Sequence, residues 1–125
     1  MKFARIIFWL SVIIQFCLGL LMILRPNIMQ RLIYAPEPTI LIQTIGSVGI
    51  TMGLLALLTL QKPKNIELWQ VSSTVLAVFN LGLGIFLGIA AKEGLISWLG
   101  VVVHLPIAIG FILVALQLQR NENYT

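Results

Sequence analysis

The chain has 125 residues, 59% of them hydrophobic and only 10% charged, with a net charge of +4. Soluble domains carry about 25% charged residues, so a water-soluble fold of this size would lack the polar surface that keeps it dispersed. The basic residues stand singly or in pairs at the edges of apolar runs instead of crowding one face, which argues for a lipid bilayer and against nucleic acid as the partner.

The first apolar run covers residues 6–24, IIFWLSVIIQFCLGLLMIL. At 1.5 Å per residue it reaches roughly 28 Å, enough to cross the hydrocarbon core. It is too long for a signal peptide, and no small-x-small cleavage pattern precedes Arg25 and Pro26, so a retained helix is expected. Next comes the longest connector, RPNIMQRLIYAPEPT, residues 25–39. Ile28, Met29, Leu32 and Ile33 recur there at helical spacing, with Gln30 and Arg31 on the other side. This pattern predicts a short amphipathic helix in the membrane interface, ended by Pro36 and Pro38.

The second span is residues 40–60, the third 66–91 and the fourth 95–118, joined by the connectors QKPKN and KEG. Such short connectors make consecutive helices antiparallel neighbours. The fold expected is therefore all-α, a single transmembrane domain forming an up-down-up-down four-helix bundle, with the interfacial helix in its first connector. The polar tail QRNENYT is expected to fray. Lys2, Arg5, Lys62, Lys64 and Arg120 fall on one side of the membrane, and Arg25, Arg31 and Lys92 on the other. The positive-inside rule then places both termini in the cytoplasm, with a bacterial inner membrane as the expected location. A faint internal echo aligns GITMGLLALL with PIAIGFILVAL, and QFCLGL with FNLGLG.

Within lipid, helices associate through close packing and buried polar contacts, because the hydrophobic effect does not separate them from their solvent. Gly46, Gly49 and Gly53 of the second span, Gly84 and Gly88 of the third, and Gly100 of the fourth are the expected packing positions. Glu67 and Glu93, placed near the starts of the third and fourth spans, are expected to complement helix dipoles.

The chemical inventory is short: no aspartate, one histidine, one cysteine (Cys17) and four glutamates, all near span boundaries. A paired-aspartate protease, a CxxC thiol-redox enzyme, a multi-histidine metal enzyme and a proton-coupled antiporter with a mid-membrane carboxylate all lack their essential groups. The balance leans away from an enzyme. The remaining mid-membrane polar residues are Gln15, Gln43, Thr44, Ser47, Thr51, Ser73, Thr74, Asn80 and His104, expected to hydrogen-bond between helices. Gln15, Asn80 and His104 each lie about ten residues from a span end, a shared depth that would allow one pocket. A neutral imidazole there could meet a quinone carbonyl, a haem or a pigment, or simply bond to Asn80; no second haem ligand is present, and no cofactor is predicted.

The chain as a whole resembles the small four-helix membrane proteins grouped around DoxX. The resemblance rests on Arg5 and Gly19 in the first span, the proline-bearing connector RPNIMQRLIYAPEP, and the glycine-patterned IGSVGITMGLLALL. It implies a four-helix membrane fold in a group where some members are linked to quinone-associated complexes. The group's polar positions in the second and third helices, often acidic or histidine, have no match here, so no site residue carries over. Two functions follow as expectations. The first is a non-enzymatic membrane protein acting through helix contacts, as an accessory subunit of a larger membrane complex or a homo-oligomer. The second is a binding or carrier bundle that holds a small lipophilic ligand such as a quinone near Gln15, Asn80 and His104.

Overall fold

A computed structural model describes residues 2–33 and 39–122. Among these the chain forms five helices: α1 (Lys2–Leu24), α2 (Pro26–Ile33), α3 (Thr39–Gln61), α4 (Ile66–Lys92) and α5 (Leu99–Glu122). All but α2 are long and apolar enough to cross a membrane, the shortest such stretch having 22 residues. The chain is an all-α membrane bundle, as its composition requires.

Local sequence sets the helix ends. Pro26 has no amide hydrogen and suits a first helical position, so α1 gives way to α2 at Arg25, whose own amide still bonds to the Leu21 carbonyl at 2.9 Å. The Gln43 side chain donates to the Ile23 carbonyl at 3.1 Å, satisfying an end of α1 that would otherwise face lipid unpaired. Asn65 caps α4 by accepting from the Leu68 amide at 2.9 Å, and Glu67 lies in that first turn, as expected. Glu93 does not start a helix. It is the C-cap of α4, followed by Gly94 at φ 73°, a left-handed conformation that favours glycine. The last helix consequently begins at Leu99 instead of 95, and it runs on past 118 to Glu122. The short helix expected in the first connector is present as α2, with Met29 buried and Ile28, Arg31 and Leu32 exposed. Pro36 and Pro38, expected to end it, lie outside the described residues.

The bundle is two intimate antiparallel pairs, α1 with α3 and α4 with α5, which touch each other more sparingly. Between α1 and α3 the backbones come close enough that a Cβ on Gly19 would lie 2.8 Å from the Gly46 carbonyl, and one on Gly46 would lie 2.8 Å from that of Gly19. Gly53 makes room for the Phe16 ring, and Gly49 for the Gln15 side chain. In the second pair Gly84 receives Leu105 and Gly100 receives Leu87. Gly88 is the exception among the expected packing glycines: the nearest atom to a Cβ there is 3.9 Å away, so no close approach depends on it. Gly19 and Gly110, outside that expected set, do serve close packing, Gly110 against Ile7.

The two pairs are sealed together most fully at one end. Phe8, Trp69 and Phe111 are wholly buried, with ring centroids 4.7 Å apart for Phe8 and Trp69 and 5.0 Å apart for Phe8 and Phe111. The indole of Trp69 donates to the Lys62 carbonyl at 3.1 Å, and the hydroxyls of Thr59 and Ser72 share a 2.7 Å hydrogen bond. Leu76, Val114 and Leu118 fill the space around this cluster. Edge-to-face aromatic contacts and interhelical hydrogen bonds supply here the cohesion that water cannot. The opposite end, toward α2 and the α4–α5 turn, contains a cleft.

Candidate functional site

Gln15, Asn80 and His104 converge where the sealed half of the bundle meets this cleft. All three are buried, Asn80 completely. The Asn80 amide donates through Nδ2 to the Leu76 carbonyl of its own helix at 2.8 Å, which turns Oδ1 away from that helix. Oδ1 then lies 2.8 Å from His104 Nδ1, and Gln15 Nε2 donates to it at 3.4 Å. One carbonyl oxygen on α4 thereby joins α1 and α5, so this contact ties the two helix pairs together.

The tautomer of His104 follows from this arrangement. The Asn80 amide cannot be flipped, because its oxygen would then face the Leu76 carbonyl, acceptor against acceptor. Since Oδ1 only accepts, Nδ1 must carry the hydrogen, and a neutral ring that donates at Nδ1 accepts at Nε2. No described protein group donates to Nε2. Among the described residues, the one buried side-chain nitrogen or oxygen that is both sealed and unpartnered is Ser11 Oγ, so Nε2 is not sealed off.

His104 lines a cleft at this end of the bundle. It encloses about 170 Å³ and is walled by Leu18 and Met22 of α1, Ile45 of α3, Leu83 and Leu87 of α4, and Leu99 and Val103 of α5. Met29 of α2 and Ile96 of the α4–α5 turn line its outer part. The Ser97 hydroxyl donates to the Leu32 carbonyl at 3.3 Å, linking that turn to α2 across the end of the bundle. Among the described residues, His104 is the only side chain lining this cleft that carries nitrogen or oxygen. A smaller recess of about 20 Å³ continues inward past His104 to Gln15, Gly49 and Phe79. An apolar chamber with a single oriented polar group is the usual form of a small-molecule site, and a comparable apolar volume accommodates one aromatic ring.

Gln43 bonds to another helix as expected, at the Ile23 carbonyl of α1, but the hydroxyls of the expected set do not. Thr44, Ser47, Thr51 and Thr74 are exposed, and each hydroxyl donates to the carbonyl four residues earlier at 2.8–3.0 Å. Ser73 is buried and does the same to Trp69 at 2.6 Å. A hydroxyl facing lipid has no water to bond, and its own helix offers the nearest acceptor. The interhelical work falls instead to Thr59 and Ser72, which the expected set omits. No signal in the sequence distinguishes these hydroxyls from the others. The cleft's leucines and methionines were likewise unreadable, being apolar residues within apolar runs.

No group of three or more metal-ligating side chains occurs among the described residues. No protein family, characterised protein or solved structure matches the chain.

Proposed function

We propose that this integral membrane protein binds a small lipophilic molecule in the cleft, with His104 as the polar contact and Asn80 and Gln15 as its supports. The observation that carries this reading is the conjunction of an apolar chamber with a single imidazole oriented from behind by a buried amide. A purely structural histidine would place both ring nitrogens against protein groups, and among the described residues Nε2 has no such partner. A placement among DoxX-like proteins would agree with this reading and is proposed on the motifs given above. Both termini in the cytoplasm are proposed on the charge bias.

The test is native mass spectrometry of the protein released gently from its own membrane, beside a Leu83→Phe variant that fills the cleft from α4. A small molecule that copurifies with the natural protein and is lost from the variant supports the proposal. A bare chain, or a ligand retained equally by both, contradicts it.

A second reading, contact with another membrane protein or a second copy, is favoured by a different feature. Gly46, Gly49 and Gly53 are buried against α1 and are no longer available as an outer contact surface. On its outside α3 carries Thr44, Ser47 and Thr51 along one face, among exposed apolar residues such as Val48 and Leu54. Cysteine placed at Ser47 in a Cys17→Ser background would crosslink to a second copy or a partner under that reading. Failure to crosslink in native membranes would remove it.

A further inference from the structure

The proposed site also restricts the chemistry of its ligand. Resting on the cleft as a binding site, we infer that it selects lipophiles bearing a hydroxyl or another hydrogen-bond donor, and discriminates against those whose polar end only accepts. The reason is the hydrogen-bond direction along the Asn80–His104 pair. Leu76 O accepts from Asn80 Nδ2, Asn80 Oδ1 accepts from His104 Nδ1, and Nε2 is left as an unmatched lone pair on a side chain that lines the cleft. A lone pair in an apolar chamber is matched by an O–H or N–H and opposed by a carbonyl or ether oxygen. Gln15 has a further amide hydrogen, but it lines the narrow recess and not the main cleft, so a ligand carbonyl in the cleft does not reach it. A phenol, a hydroquinone or an aliphatic alcohol meets the requirement. A quinone, whose oxygens only accept, does not. The volume of about 170 Å³ suits one ring bearing the hydroxyl, with any tail leaving the chamber.

The experiment uses the full chain in lipid nanodiscs with two matched probes, 4-propylphenol and its methyl ether, compared at equal concentrations in the membrane. The hydroxyl probe is expected to bind about threefold to tenfold more tightly, the range for one neutral hydrogen bond. In His104→Phe, which keeps a ring and removes the acceptor, that preference should vanish. Independently, nitrogen NMR of the natural protein should show His104 protonated at Nδ1 alone, and the Nε2 resonance should move when the phenol is added. Equal binding of the two probes to the natural protein overturns the inference and leaves the cleft as a binding site. A ring protonated at Nε2 also overturns it, whether or not His104→Phe folds. Saturable binding of neither probe removes both the inference and the binding site beneath it.

Discussion

Asn80 shows how much can depend on a single buried oxygen. Its Oδ1 takes hydrogen bonds from two other helices, while its Nδ2 is satisfied at home. Asn80→Leu should therefore leave the Gln15 and His104 donors without their acceptor. A loss of about 1–3 kcal/mol is expected from that desolvation, toward the low end if the unfolded chain finds partners in the membrane. Thr74→Ala removes only an exposed bond to its own helix and should change stability by less than about 0.5 kcal/mol. Comparing the two by reversible unfolding in mixed micelles checks the contrast, and equal effects would contradict it. The convergence of Gln15, Asn80 and His104 was legible in the sequence because polar residues are rare in these spans and share a depth. The orientation of Asn80 was not legible, since it depends on the amide choosing the Leu76 carbonyl. Nor could the outward direction of Thr44, Ser47, Thr51 and Thr74 be read, because in an apolar chain both lipid and protein neighbours are apolar.

At the scale of helices, close backbone approach holds each pair. Gly46→Ala would bring a methyl to 2.7 Å from Met22 Cβ and 2.8 Å from the Gly19 carbonyl, neither of which is the free end of a side chain. It should destabilise the α1–α3 pair by about 1–3 kcal/mol, as overpacking does. Gly82→Ala meets nothing within 4 Å and should be tolerated or mildly stabilising. Thermal unfolding of the two variants side by side reads this difference. Gly94→Ala should cost about 1–2 kcal/mol for a different reason, the left-handed backbone at φ 73°. The glycine pattern in the sequence picked out the second span, whose Gly46, Gly49 and Gly53 lie close against α1, but it also picked out Gly88, which has slack, and omitted Gly19, which approaches Gly46. Spacing along one helix shows which residues share a side, but not where a neighbour crosses it. The late start of α5 has a comparable cause. Leu95, Ile96 and Trp98 are as apolar as a span, while the turn after Gly94 decides where the helix begins.

Across the whole molecule, cohesion is uneven. One end is locked by Phe8, Trp69 and Phe111, and the other encloses the cleft under α2 and the α4–α5 turn. Phe8→Ala should cost about 3–5 kcal/mol, since it opens the sealed end, whereas Leu87→Ala removes a half-buried contact over Gly100 beside an existing cavity and should cost less in the same assay. Composition and periodicity made the four spans evident, while the short apolar spacing in the first connector fitted either α2 or a loop. The division into a tight end and an open end depends on which side chains interlock across helices, which no single span records. The measurement that bears most directly on the central claim is photolabelling of the protein in its native membrane with a photoreactive lipophilic phenol, mapped by peptide mass spectrometry. The binding account predicts saturable label on cleft residues such as Met22, Met29 and Leu87, competed by unlabelled phenol and lost in Leu83→Phe. Label spread without competition over lipid-facing positions such as Val78, Phe86 and Val102 would show that the cleft holds nothing the surrounding bilayer does not.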